Sequence, residues 1–230
     1  MITKKFGAPA LLLGSAVFLH AGLAQAEGQG FYFSGGVGQS TMDISKGDLD
    51  DELGYVLEDD LGLDILDGGS KLDDSDTALG LTVGYKFSPY LALEVAYLHL
   101  GEASYKAGVT VTDGVDQYDL DARITAESKG PALSALGLWP VSDAFDLYAR
   151  LGVYFGDTDL KMTVSDGVDS LSVGASGSSQ DLLYGVGANW NINERWSLRL
   201  DYQMFKDVGD EDKTGETDID MISLGVFFRL

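Results

Sequence analysis

No cysteine occurs among the 230 residues, so no disulfide braces the chain, although small exported domains often depend on them. Past residue 26 no stretch reaches the roughly 20 consecutive apolar residues that a membrane-spanning helix needs. Cations are scarce, with 15 Lys and Arg facing 37 Asp and Glu. That balance argues against nucleic-acid binding, which calls for clustered basic side chains, and against docking on a bare anionic surface. Histidine occurs only as His20 and His99. With 10% aromatic and 45% hydrophobic residues, the chain is nevertheless too apolar for a disordered polyanion. It has to fold, and as a single domain.

The first 26 residues have the design of an export signal. Lys4 and Lys5 precede a mostly apolar run from Leu11 to Leu23, and Ala24-Gln25-Ala26 supplies the small-x-small cleavage pattern. The expected division is a signal peptide over 1–26 and a β-barrel with long acidic extracellular loops over 27–230.

Period-two alternation, the signature of half-buried strands, then recurs eight times. Apolar Phe31, Phe33 and Val37 interleave with Tyr32, Ser34 and Gly36, and Leu79, Leu81, Val83, Tyr85 and Phe87 interleave with Gly80, Thr82, Gly84 and Lys86. Further strands start near Leu91, Phe145, Leu182, Trp196 and Ile222; one around Ala132 to Trp139 has no register fixed by pattern. Short connections at Ser88–Tyr90, Pro140–Asp143 and Asn191–Glu194 alternate with long ones at about 41–76, 104–129, 157–180 and 206–218. Short turns at one end and long loops at the other characterise outer-membrane barrels. Within two long loops, Thr112-Asp113-Gly114-Val115-Asp116 echoes Ser165-Asp166-Gly167-Val168-Asp169. Asp-Gly between strand-like flanks signals protruding hairpins; a calcium-binding repeat would need a tandem period that is missing.

Which face meets lipid is decided by size. The less apolar face is dominated by Gly, Ala and Ser, which suit the cramped interior of an eight-stranded barrel. The bulky face then needs a partner, and lipid is the simplest. Trp139, Trp190 and Trp196 all fall near short turns, as an interfacial aromatic girdle requires. The fold class expected is all-β: an eight-stranded antiparallel up-and-down transmembrane β-barrel.

Three segments carry a family resemblance. They are Gly30-Phe31-Tyr32-Phe33-Ser34-Gly35-Gly36-Val37-Gly38, Leu91-Ala92-Leu93-Glu94-Val95-Ala96-Tyr97, and the closing Ile222-Ser223-Leu224-Gly225-Val226-Phe227-Phe228-Arg229-Leu230. From about Gly30 to Leu230 the chain resembles the OmpA-like outer-membrane β-barrel family. The last segment resembles the terminal signal for barrel insertion, which in the family usually ends in Phe rather than Leu230. The resemblance implies a transmembrane barrel; the chain departs from the family in stopping with the barrel, so no C-terminal peptidoglycan-binding domain is expected. It also implies an ion-pair network in the lumen, in which Glu94 matches a third-strand glutamate, Arg199 a seventh-strand arginine and Arg150 a fifth-strand arginine. The family's basic residue on strand four and acid on strand six have no counterpart.

Inward parity assigns Lys86, Glu94, Asp146, Arg150, Arg199, Asp201 and Arg229 to the lumen, and an unpaired charge there would cost several kcal/mol. The expected lumen network is Lys86, Glu94, Arg150, Arg199, Asp201 and Arg229. The first long loop is strongly acidic, from Asp43 to Asp76, with Lys46 and Lys71 as its cations. It lacks calcium-loop spacing, and its Leu53, Tyr55, Val56 and Leu57 leave it free to fold over the barrel mouth or form an adhesive patch. No metal, cofactor or catalytic residue is expected.

The function read from the sequence is structural and surface-interacting, with a low-conductance pore as its sharper form. Expected partners are outer-membrane lipid and lipopolysaccharide, the barrel-insertion machinery and an unidentified extracellular ligand, with the chain a monomer in the cell outer membrane. The competing reading is an outer-membrane enzyme acting on lipid or lipopolysaccharide. It would rest on His99 alone, without a Gly-x-Ser-x-Gly nucleophile turn.

Overall fold

A computed structural model describes residues 29–230; the segment 1–26, expected to be a signal peptide, lies outside them. Strand β1 spans Gly30–Met42. After it come helix α1 (Lys46–Tyr55), a π-helical turn (Val56–Asp60), β2 (Asp64–Asp73), β3 (Ser75–Ser88), β4 (Leu91–Thr112) and β5 (Gln117–Ser142). The chain continues through β6 (Phe145–Tyr154), β7 (Asp157–Ser165), β8 (Ser170–Ser178), β9 (Asp181–Asn191), β10 (Trp196–Asp210) and β11 (Gly215–Arg229).

Eight of these strands form a closed antiparallel ring in the order β1-β3-β4-β5-β6-β9-β10-β11. Closure runs through β1 and β11, from Tyr32↔Arg229 to Met42↔Ile219. The weakly patterned fourth ring strand now has a register, with Leu133 opposite Val95 and Trp139 opposite Leu147. Closure pairs every ladder, which a strand-built membrane span requires.

Phe33, Val37, Leu81, Val83, Leu93, Val95, Leu147, Leu151, Leu200 and Leu224 are all exposed around the ring. In water such a belt would be an interaction site of extraordinary extent; in a bilayer it is the lipid face. At the short-turn end Trp139, Trp190 and Trp196 also point outward. Trp190 stacks on Phe145 with centroids 6.2 Å apart, and Trp196 meets Phe228 at 4.7 Å.

The lumen differs from the expectation of small residues and ion pairs alone. Tyr32, Leu136, Tyr148, Tyr154, Leu183, Phe205 and Phe227 also point inward and are buried. The reason is volume: a sealed interior must be filled, and large side chains fit wherever a neighbouring strand offers glycine. The result is layered. Tyr32, Ala92, Leu136, Leu138, Tyr148 and Phe227 pack near the short turns. Met42, Leu98, Leu100, Tyr154, Phe205 and Ile219 belong to a second cluster toward the long loops. Charges lie between them.

The second and third long connections form the hairpins that their Asp-Gly turns signal, and the first holds a helix and a strand where only a loop was expected. β4 and β5 stay paired from Leu91↔Gly137 out to Thr112↔Gln117, across a bulge between His99 and Glu102. β2 adds to one edge of this extension, and β7 followed by β8 to the other. A five-stranded sheet therefore rises beyond the barrel. Its hairpins turn at the two Asp-Gly echoes. Asp113 Oδ1 accepts the N–H groups of Val115 and Asp116 at 2.9 and 2.8 Å, and Asp166 does the same for Val168 and Asp169 at 2.9 and 2.7 Å.

Within the first connection Ser45 caps α1, its Oγ accepting the Asp48 N–H at 3.3 Å. Leu49 and Leu53 of this helix pack on Tyr105, Ala107 and Ala122 of the sheet. Its Asp50 carboxylate accepts hydrogen bonds from Lys46 Nζ (2.6 Å), Tyr105 OH (2.6 Å) and the Ser70 hydroxyl. These bonds, led by that of Lys46, hold the carboxyl down at about 2. The helix thus lies over the barrel mouth.

Candidate functional site

The charge layer is built from five ring strands. β4 brings Glu94, β6 brings Tyr148 and Arg150, β9 brings Asn189, β10 brings Arg199 and Asp201, and β1 brings Tyr32. All sit on inward parity, one strand pleat from outward residues. Glu94 is 1% exposed. Its Oε2 accepts from Arg150 Nη2 at 2.8 Å, and its Oε1 from Arg199 Nη1 at 2.6 Å and Tyr32 OH at 2.6 Å. Asp201 accepts from Arg150 Nη2 at 3.3 Å and from the Tyr148 hydroxyl. Arg199 Nε donates to Asn189 Oδ1 at 2.9 Å. Two carboxylates thus meet two guanidiniums, and the cluster is neutral.

Aromatic faces complete the cage. The Arg199 guanidinium carbon lies 4.9 Å from the Phe227 ring centroid and 5.0 Å from that of Tyr148, close enough for cation–π attraction in a desolvated site. Tyr32 in turn stacks on Phe227 at 4.2 Å. Both tyrosine rings lie on glycine: a Cβ at Gly84 would come within 2.2 Å of Tyr32 Cζ, and one at Gly187 within 2.3 Å of the Tyr148 hydroxyl oxygen. No other residue fits under either ring without displacing it.

Of the six expected lumen residues, the structure brings four together: Glu94, Arg150, Arg199 and Asp201. Lys86 and Arg229 stand apart near the short-turn mouth. Arg229 Nη2 donates to Asn191 Oδ1 at 2.8 Å, and Asn191 Nδ2 donates to Asp146 Oδ2 at 3.3 Å. Among the described residues Lys86 makes no ion pair. It lies opposite Ala92, two residues from Glu94 toward the short-turn end. Tyr32, Tyr148 and Asn189 belong to the cluster and were not singled out from sequence. Their inward parity was legible, but their hydroxyl and amide partners lie on other strands.

The cluster leaves little free space. A cavity of about 30 Å³ remains beside Arg150, Arg199, Asp201 and Gln203, about the share of one water. With apolar layers on both sides, the charges act as a plug. They present no open nucleophile and no acid–base pair facing a cleft. His99, at the outer rim, has both ring nitrogens engaged: Nε2 lies 3.2 Å from Glu127 Oε1, and Nδ1 accepts the Gly101 N–H at 3.1 Å. Among the described residues, no three His, Asp or Glu side chains converge on a metal position.

A family model described as the OmpA-like transmembrane domain matches residues 26–230. Outer membrane protein A of Serratia marcescens is 32% identical over 151 residues, covering 65% of this chain and 38% of that protein. Outer membrane protein A of Yersinia pseudotuberculosis is 29% identical over 179 residues, covering 77% of this chain and 46% of the relative. The chain thus spans less than half the length of these relatives. Among solved structures, neisserial surface protein A is similar at a TM-score of 0.47 and 13% identity, covering 87% of this chain and 97% of that one. With the family model matched along the whole barrel, the chain belongs to the OmpA-like transmembrane domain family and lies in the outer membrane as a multi-pass β-barrel.

Proposed function

We propose that this barrel is a structural outer-membrane protein whose work is done outside the cell, by the five-stranded sheet and its helix, and not through the lumen. The observation that carries the reading is the plug: four buried charged groups between two apolar layers, with about 30 Å³ of free space. A lumen filled in this way carries at most a small current. The six-residue lumen network of the sequence reading is retained here as four residues bracing the barrel, with Lys86 and Arg229 serving the short-turn mouth. Trp139, Trp190 and Trp196 anchor that end at the inner headgroup level.

The enzyme reading is the weaker one. It rests on His99, whose two nitrogens are already engaged. Lipid and lipopolysaccharide surround the barrel as its solvent, and residues 1–26 serve export.

The absence of cysteine supplies a clean test. Val115 and Val168, at the hairpin tips, are 87% and 90% exposed. On intact cells, Val115→Cys and Val168→Cys are expected to react with a membrane-impermeant maleimide as completely as in detergent-solubilised protein. Labelling only after the cells are broken would place the sheet on the inner side and overturn the proposal.

A further inference from the structure

The scarcity of cations makes their placement informative. Lys71 on β2 lies directly opposite Lys106 on β4, and Lys106 lies directly opposite Arg123 on β5. Lys161 on β7 is opposite Thr125, one pleat along from Arg123, whose own β7 partner is Thr163. All four cations are exposed. Among the described residues, none of the four is paired with a carboxylate. They line one groove of about 970 Å³ on the sheet face, with Glu102 and Asp121 among its other walls.

Like charges directly opposite one another destabilise a sheet. A row of three in register, within a chain that has acid to spare, costs stability in the isolated protein. An anion lying across the row would remove that cost. We propose that this groove binds a linear polyanion, of the sulfated or phosphorylated glycan class.

Three features select the class. Adjacent strands are about 4.8 Å apart, so the row presents a positive charge at each such step across the sheet, a spacing suited to a repeating anionic chain. Thr125, Thr163 and Ser165 add hydroxyls along the walls, whereas no aromatic ring lines the groove. It therefore lacks the stacking platform on which single-stranded nucleic acid depends.

Height selects a glycan chain over a phospholipid headgroup. Outside the ring the apolar band ends near Tyr97 and its partner Pro131. Arg123 lies eight residues further along β5, about 20 Å above that level after allowing for strand tilt. The headgroup layer is only about 5–8 Å deep. The acids of α1 do not cancel the row, because the helix packs on the opposite face, against Tyr105, Ala107 and Ala122. Screening over about 8 Å at physiological salt separates the two.

This inference rests on the sheet being the working surface, but its test does not depend on which side of the membrane the sheet occupies. Detergent-folded protein is titrated with fluorescent dextran sulfate, with uncharged dextran as control. Binding is expected for the sulfated polymer alone, weakening as salt rises. Lys71→Ala/Lys106→Ala/Arg123→Ala is expected to bind about tenfold or more weakly, with an unfolding midpoint equal to or above wild type, since like-charge opposition is removed. Arg195→Ala, at a short turn, is expected to bind as wild type does. Equal binding by the triple variant would overturn the site. So would binding confined to lipopolysaccharide-containing vesicles, which would assign the row to a lipid headgroup. The cysteine labelling described above reports separately on orientation.

Discussion

Replacing Glu94 by alanine is expected to lower the unfolding free energy by about 3–5 kcal/mol, because it strands two buried guanidiniums. Glu94 is the hub that holds Arg150 at 2.8 Å and Arg199 at 2.6 Å, and the latter is enclosed by the Tyr148 and Phe227 rings. Asp201 can retain Arg150 but makes no hydrogen bond to Arg199. The second consequence is on conduction. Removing a carboxylate from a plug with about 30 Å³ of free space enlarges that cavity, so single-channel current in a planar bilayer is expected to rise from near zero. Urea unfolding of bilayer-folded protein reads the first effect. Removing Arg199 together with Glu94 is expected to cost less than the sum of the two single changes, since the two are coupled. An unchanged midpoint and unchanged current would dismiss the cluster as the brace of the barrel.

Leu200→Arg and Leu171→Arg form the second experiment. Both leucines are at least half uncovered by protein, at 50% and 70% exposure. Leu200 lies on β10 between Ala188 and Leu224, well inside the apolar belt, whereas Leu171 lies on β8 in the raised sheet, opposite Val164. An arginine near the bilayer midplane costs about 2–4 kcal/mol, while an exposed substitution in water stays within about 0.5 kcal/mol. Leu200→Arg is therefore expected to be strongly destabilising and Leu171→Arg nearly silent. Equal small effects would mean that water, not lipid, surrounds the belt.

The ring strands were legible because alternation is a local property and a sealed barrel enforces it on every strand. Leu136 and Leu138 obscured the fourth ring strand: both point inward, so its parity does not separate large from small. The raised sheet was only half visible. The Asp-Gly turns announced two hairpins, but β2 forms along the outer edge of β4 through a register shift between Ile65 and Asp67, and no local pattern in Asp64–Asp73 signals it. Helix α1 left a trace in Ser45-Lys46-Gly47-Asp48, a capping signal, masked by the surrounding acids.

Within the lumen, inward parity assembled the charged set, but distance along each strand sorted it. Glu94, Arg150, Arg199 and Asp201 share a level, whereas Lys86 and Arg229 lie near strand ends. The cation row shows the same limit more sharply. Lys71, Lys106 and Arg123 are far apart in sequence, and only the pairing register across two strand boundaries makes them neighbours. Net charge, which argued against anionic partners, averages over that placement.

The central claim is that the bulky face of the ring is covered by lipid, with its tryptophans at one headgroup level. Fluorescence quenching by lipids brominated at graded depths along the acyl chain tests it directly, using single-tryptophan variants that retain Trp139, Trp190 or Trp196. All three are expected to be quenched most by bromines nearest the headgroup, with profiles that superimpose. Emission indifferent to every brominated lipid, from protein that stays monodisperse in plain buffer, would contradict the account at its base.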